Sequence, residues 1–213
     1  MKRVSNSDVS LDDSQRIRYL FNEQVRRGTA SDGLSDVSAT PHVVRWSATD
    51  DVGWSEISWT ELDEASADQV ITEQIEHFSS VGQGFVWRIY EDDLPKDLST
   101  RLGLAGFKRA ETSELLIARV NELTTGVELP DGVSLVRAND PLGIGRLIEV
   151  HEKVFGTDHS QLGRTLLAQL SIAPILNDLV VAMAEGGPVS SARVQFLPDS
   201  DFASLWGGST LSQ

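Results

Sequence analysis

The sequence predicts an α/β fold of the α+β type, in which a mixed, mostly antiparallel sheet is flanked by helices. Three observations predict it. Two helical segments lie between strand-like runs in the second half of the chain, tight turns then separate three strand-like runs, and a Gly- and Pro-containing linker follows Asn121. We therefore expect two units, residues 1–125 and residues 130–213.

The first half alternates helical and strand-like segments. Apolar residues recur at helical spacing from Ser14, and Gly28 is placed to close that helix. The elements expected after it are a loop over 29–40, strands over 42–47 and 52–60, a helix after the Ser66/Gln69 capping-box pattern, a strand over 85–89, a helix from Asp93 to Gly106, and one bent strand or two over 107–120.

Two clusters in this half have alternative interpretations. Trp46, Trp54 and Trp59 lie close together in sequence, and we interpret them as packing residues rather than as an aromatic ligand platform. The acidic run over 91–93 imitates a metal site but lacks a spaced third ligand, so we interpret it as a solvated helix start and expect no metal site.

The second half has the order β-α-α-β-β-β. Asp140 is a helix cap with Pro141 at the first helical position, and Gly156 ends that helix. Ser160 is expected to cap the second helix. The strands expected are 133–138, 178–184, 189–197 and 202–211, with turns over 185–188 and 198–201.

The composition excludes several classes of function. The chain has no cysteine, which excludes disulfides, thiolate zinc sites and cysteine nucleophiles. Its formal net charge of −14 argues against a nucleic-acid partner, because binding of the phosphate backbone relies on clustered Lys and Arg. No apolar run reaches the roughly 18 residues that a membrane helix needs, and no signal peptide is readable. We therefore expect a cytoplasmic protein without a membrane partner.

This arrangement resembles the first half of an acetyltransferase domain of the GNAT superfamily. The run 133–138 resembles the family's opening strand, the hairpin 178–189 resembles its strand–Gly turn–strand unit, and 204–213 resembles its fourth strand. The runs 84–90 and 104–107 look like a strand and a Gly-Phe strand near the end of such a domain. The resemblance therefore implies a degenerate GNAT-like N-terminal half, as in tandem or pseudo-duplicated members.

The resemblance also implies a function. The protein would be an N-acetyltransferase that transfers an acetyl group from acetyl-CoA, its co-substrate, to the amine of a small molecule or peptide. The backbone of Ser209, Thr210 and Leu211 would bind the pantetheine arm of acetyl-CoA. The connection 155–159 would wall the acceptor site, with Phe155 and Asp158 as the candidate substrate-binding residues.

No catalytic base is assigned by the resemblance. His151 lies on the apolar side of its helix, where it is either a base or, as we expect, a satisfied buried histidine. The family's pyrophosphate-binding loop, Arg/Gln-x-x-Gly-x-Gly/Ala, would follow Gln213. The expectation is thus a chain truncated before this loop, with weak or no binding of acetyl-CoA by these 213 residues.

Three alternatives stay open at this point. Gly207 and Gly208 form either a simple bulge or part of a splayed strand that opens a cofactor cleft. A chain that is complete as it stands would be a non-catalytic GNAT-like binding or regulatory module, whose open fourth strand needs a partner such as a second copy in a homodimer. An unrelated α+β protein would imitate the family only in its last three strands.

Overall fold

The computed structural model describes residues 12–212, which form two four-stranded sheets flanked by helices. The first half contains α1 (Asp13–Phe21), β1 (Ser35–Ala39), β2 (Val43–Ala48), β3 (Glu56–Thr60), α2 (Ala67–Ser80), β4 (Val86–Trp87) and α3 (Leu98–Leu104). After a short 3₁₀ turn at Val120–Glu122, the second half contains β5 (Val133–Arg137), α4 (Pro141–Phe155), α5 (Ser160–Ile172), β6 (Asn177–Ala184), β7 (Gly187–Phe196) and β8 (Ala203–Thr210). The predicted fold class is confirmed.

Strand order is sequential in both sheets. The first sheet runs β1-β2-β3-β4, with β3 and β4 parallel and the other pairs antiparallel. The second sheet runs β5-β6-β7-β8 and is antiparallel throughout. Within the described residues β8 therefore has a ladder partner on one side only, and its other edge is open.

Each sheet has a separate apolar core. Fully burying one such side chain contributes about 1.5–3 kcal/mol, so each cluster accounts for a large share of the stability of its half. The first core comprises Val43, Ile57, Leu62, Ala67, Val70, Ile71, Phe78, Trp87, Leu98 and Leu102. The second comprises Ala138, Ile144, Leu147, Leu166, Leu179 and Val181.

The ends of α4 follow from local chemistry, as predicted. The side chain of Asp140 accepts a hydrogen bond of 2.7 Å from the backbone N–H of Gly143, and Pro141 occupies the first helical position. At the other end, Gly156 adopts a left-handed conformation with φ of +67°. Glycine suits this position because it has no Cβ to clash with the following carbonyl.

A buried ion pair organises the first half and was missed at the sequence level. The chain after α1 continues as a π-helical turn over Asn22–Arg26, which brings Arg26 to the interior. The Arg26 guanidinium lies 2.7 Å from the Asp93 carboxylate, and the two side chains are only 4% and 5% exposed. It also lies 4.1 Å from the Tyr90 ring centroid and donates to the Ser58 carbonyl at 3.3 Å.

The interpretation of residues 91–93 as a solvated cluster is therefore wrong for Asp93. Its carboxylate also accepts the backbone N–H of Tyr90 at 2.9 Å. The following helix, α3, begins at Leu98 rather than at Asp93. Asp92 remains at the surface, where it pairs with Arg18.

Two strand assignments in the first half were wrong. The polar segment Ser35–Ala39, expected to lie in a loop, forms β1 because it pairs residue by residue with β2. The segment 107–120, expected to form one strand or two, makes no strand within the described residues. Phe107 packs against the first core, whereas the apolar side chains further along are uncovered, with Leu116 87% and Val120 80% exposed.

Other local expectations are corrected by hydrogen bonding. Ser66 makes no side-chain cap; Asp63 instead accepts the backbone N–H groups of Ala65 and Ser66 before α2.

Of the three tryptophans, Trp59 is buried, whereas Trp54 is exposed and its indole donates to Glu56. Packing therefore accounts for Trp59 but not for Trp54.

The two halves contact each other through polar groups on α5. Thr165 Oγ1 donates to the carbonyl of Val52 at 2.8 Å, and one turn later Gln169 Nε2 donates to Asp32 at 3.2 Å. Gln24 also exchanges two hydrogen bonds with Asp201, of 3.0 and 2.9 Å, and the rings of Phe21 and Phe202 meet edge to face at 6.0 Å. These contacts set the orientation of the second sheet relative to the first.

Replacing Asp93 by Asn should lower the free energy of unfolding by about 3–5 kcal/mol, because Arg26 would be left buried without a counter-charge. The matched control is Asp92→Asn, which removes a carboxylate whose side chain and whose partner Arg18 are each more than half exposed. That change should cost less than about 1 kcal/mol. Urea unfolding of the three proteins measures the difference, and equal losses would contradict the assigned role of Asp93.

Candidate functional site

The ladder between β7 and β8 contains a bulge. Ser191 pairs with Ser209 and Arg193 pairs with Trp206, so the two glycines 207 and 208 together lie opposite Ala192. Gly207 has φ of +61°, a conformation that side chains with a Cβ rarely adopt. The ladder is therefore bulged at these two glycines. Their part in a splayed strand that opens a cofactor cleft stays a prediction.

His151, on the inner side of α4, holds this bulge. Its Nε2 lies 2.9 Å from the carbonyl oxygen of Gly207, and the residue is only 5% exposed. A Cβ added at Gly207 would lie 2.6 Å from Cε1 and 2.7 Å from Nε2 of this ring, which leaves room for glycine alone. The expected burial is confirmed, but only one of the two ring nitrogens has a hydrogen-bond partner among the described residues.

The hydrogen bond assigns the tautomer of His151. A carbonyl oxygen only accepts, so Nε2 carries the proton and Nδ1 carries the lone pair. Nδ1 is buried without a hydrogen-bond partner among the described residues. Burial lowers the pKa of His151, the Gly207 carbonyl partly opposes this, and His159 and Arg193 lower it further. The ring is therefore neutral at pH 7.

An aromatic cluster lies at the C-terminal end of α4. The ring of His151 is 5.5 Å from that of Phe155 and 5.3 Å from that of His159, both in edge-to-face geometry. Phe155 is 51% exposed. It therefore contacts the histidine that bonds to Gly207 while about half of the residue remains at the surface. Its role as a wall of the acceptor site stays a prediction.

Asp158, the second predicted substrate residue, has a local structural contact. Its carboxylate accepts the backbone N–H of Ser160 at 2.7 Å, and this hydrogen bond lowers the pKa of the carboxyl. Asp158 rather than Ser160 therefore supplies the side chain at the start of α5. It also borders an open surface cleft lined by Glu152, Gly156, Thr157 and Asp158.

The three residues predicted to bind the cofactor differ in whether their polar groups are already hydrogen-bonded within the protein. Ser209 is buried, and its hydroxyl lies 3.0 Å from that of Ser191. The backbone N–H of Leu211 donates to Val189 at 2.9 Å. Because antiparallel pairs alternate, Thr210 directs its backbone N–H and carbonyl away from β7, toward the open edge.

Arg193 belongs to this site and was missed at the sequence level. Its guanidinium lies 5.8 Å from the ring centroid of Trp206, the residue opposite it in the ladder. Its Nε is buried without a hydrogen-bond partner among residues 12–212, and burial lowers its pKa. The sequence does show an arginine in the middle of a strand between small and apolar residues, and this unusual position could have indicated a functional role.

The described residues were compared with the side-chain groupings that bind metal ions in proteins. Within residues 12–212, no three or more His, Asp and Glu side chains are grouped closely enough to hold a metal ion.

In the same part of the chain, no helix combines the length and the apolar surface that crossing a bilayer requires.

Substituting Gly207 by Ala should destabilise the protein by about 1–3 kcal/mol, because it strains the backbone and forces the His151 ring away. The control is Gly208→Ala, where an added Cβ meets nothing within 4 Å. Thermal or urea unfolding compares the two variants. A Gly208→Ala protein as unstable as Gly207→Ala would contradict the assignment.

The lowered pKa of His151 predicts a pH dependence. The unfolded chain, with an ordinary histidine pKa of about 6.5, binds more protons than the folded protein just below that pH. The stabilisation is therefore complete above about pH 6.5 and declines as the pH falls toward the lower folded pKa. An NMR titration should give an imidazole midpoint below about 6.5 and a ring protonated at Nε2 at pH 7.5. A ring protonated at Nδ1 would contradict the geometry.

The sequence and the structure were compared with those of known proteins. No family model and no curated protein matches the sequence. Among solved structures, the chain is similar to a GCN5-related N-acetyltransferase from Kribbella flavida, with a TM-score of 0.63 and 16% sequence identity. The match covers 92% of this chain and 72% of that chain, so it extends over both sheets. The chain therefore has a GNAT-like fold, with the bulge in the fourth strand of its second sheet.

Proposed function

We propose that this protein is an N-acetyltransferase that transfers the acetyl group of acetyl-CoA to the amine of a small molecule or peptide. The observation that carries the proposal is the Gly207 bulge beside the open edge of β8, in a sheet of GNAT-like fold. The division into units 1–125 and 130–213, the truncation and the cytoplasmic location stay predictions.

The open edge of β8 suits the pantetheine arm of acetyl-CoA. That arm carries two amide groups in an extended chain, and it can hydrogen-bond to a free strand edge as an additional strand does. The group available in the regular part of the ladder is the backbone of Thr210, which faces away from β7. Of the three residues predicted to bind the cofactor, Thr210 is thus the one whose backbone supports the proposal directly.

The bulge suits the reacting end of the substrate. In acetyl transfer the amine nitrogen attacks the thioester carbon, the C–S bond breaks, the amine loses a proton and the thiolate takes one up. A backbone N–H held rigidly near the developing oxyanion stabilises this transition state. The irregular ladder around Gly207, fixed by His151, gives the neighbouring Gly208 N–H a defined direction.

His151 is a positioning residue in this scheme. Its Nε2–H is already bonded to Gly207, and its Nδ1 is buried, so the ring does not reach an incoming amine. It acts by keeping the bulge in place. The group that accepts the amine proton is left unassigned.

The acceptor side of the proposal is supported by Phe155 and by charge. Phe155 exposes a ring face next to His151 and His159. The net charge of −14 produces a field that concentrates cationic amines near the protein.

Thr210→Pro should weaken binding of acetyl-CoA about fivefold, because it removes one outward N–H worth about 1 kcal/mol. The ladder to β7 should survive, since proline is tolerated on the open side of an edge strand. NMR titration with acetyl-CoA and with S-acetylpantetheine, which lacks the nucleotide, should shift the amides of Gly208 and Thr210 in the unmodified protein.

The matched control is Thr210→Val, which keeps the N–H and removes the hydroxyl that contacts Ser190. It should bind both thioesters like the unmodified protein. Binding without shifts along β8 would refute the proposed site.

A further inference from the structure

We propose that the acceptor carries a carboxylate besides its amine, and that Arg193 binds this carboxylate beside the bulge. The inference rests on the proposed function for its amine, but the anion site stands on separate observations. It specifies the substrate class as amino acids and related zwitterions.

Arg193 is a cation without a counter-charge. Among residues 12–212, none of the ion pairs involves Arg193, and its buried Nε has no hydrogen-bond partner. Arginines in such partly buried positions are ordinarily paired, because the loss of hydration must be offset. Arg26 follows that rule through Asp93, and Arg45, whose Nε is also unpaired, donates through Nη1 to Gln74 at 3.1 Å. Arg193 has no comparable acceptor in that part of the chain, which indicates a partner outside the described residues.

The surroundings of Arg193 are arranged for a small anion. Trp206 lies against the guanidinium and restricts its orientation. The ionisable groups that face this region include His151 and His159, and the positive charge of Arg193 contributes to lowering the pKa of His151. Neither histidine supplies a negative charge. The carboxylate of Glu152, which accepts the backbone N–H of His159 at 3.2 Å, lies on the side of the adjoining cleft.

The position of Arg193 links the anion to the amine. Arg193 pairs directly with Trp206, and the next residue along β8 is Gly207. Arg193 also contributes to lowering the pKa of His151, the residue that bonds to the Gly207 carbonyl. The proposed carboxylate site therefore adjoins the bulge at which the proposed function has the amine react.

Charge also explains why recognition uses arginine. The overall charge of −14 repels free anions at long range, whereas a zwitterion has no net charge and is not repelled. Once the zwitterion is in place, the guanidinium offers two parallel N–H donors that match the two oxygens of a carboxylate.

The test uses amines in matched pairs that differ only by the carboxylate: phenylalanine with phenethylamine, leucine with isopentylamine, and lysine with cadaverine. Binding to the 213-residue protein is followed by NMR through the Arg193 Nε–H and the Trp206 indole N–H, without acetyl-CoA. We expect at least one pair to show about tenfold tighter binding of the amino acid, which Arg193→Gln abolishes and Arg193→Lys partly retains.

The matched control is Arg137→Gln, which removes the same charge from an exposed arginine of the same sheet that pairs with Asp178. It should keep the preference for the carboxylate. Equal affinities within every pair, or a preference that survives in a folded Arg193→Gln protein, would overturn the inference. If the protein binds the amino acid more tightly than the matching amine but transfers no acetyl group, the anion site is supported and the transferase proposal is contradicted. If it transfers acetyl groups but binds both compounds equally, the transferase proposal is supported and the anion site is contradicted.

Discussion

The hydrogen bond from His151 Nε2 to the Gly207 carbonyl joins α4 to β8 at the point where the ladder between β7 and β8 is irregular. A single hydrogen bond contributes only about 1 kcal/mol net, but leaving a buried donor and acceptor unpaired costs more. The contact therefore constrains several features together. It requires a residue without Cβ at 207, and it places the proton of the neutral imidazole on Nε2. Burial keeps the ring neutral, against the pKa-raising effect of the Gly207 carbonyl.

The two halves of the protein are stabilised by different means. Each has its own apolar core, and the first half additionally encloses the Arg26–Asp93 pair. Between them, hydrogen bonds from Thr165 and Gln169 on α5 reach loops of the first half. Polar contacts of this kind fix an orientation by direction and distance, and they contribute less to stability than apolar burial does.

The second half could be predicted closely from the sequence because its element boundaries depend on local chemistry. Asp140, Pro141 and Gly156 define α4 through capping and a left-handed residue, and the turn at 185–186 joins β6 to β7. The first half was harder, because its features depend on distant partners. The polar strand β1 exists through its pairing with β2, and the π-helical turn that buries Arg26 breaks the 3.6-residue period. The segment 107–120 has strand-like composition but no ladder within the described chain.

The candidate site was predicted in outline and not in detail for the same reason. The location of Phe155 and the outward backbone of Thr210 follow from element order. The contact between His151 and Gly207 spans 56 positions and depends on a register shift, which periodicity does not reveal. Arg193 was missed because the sequence does not show which charged side chains lack a partner.

The bulge has a consequence for the behaviour of the open strand in solution. If Gly207 were deleted, Ala192 would lie opposite Gly208 and Ser191 would still lie opposite Ser209, so the extra residue is not needed for pairing. What it changes is shape, because a bulge bends its strand and increases the local twist. The outer edge is thereby divided into two short stretches, 203–206 and 208–210. Both are shorter than the five or six residues of an ordinary strand, so β8 is a poor template for fibril growth while remaining accessible to a short, flexible ligand.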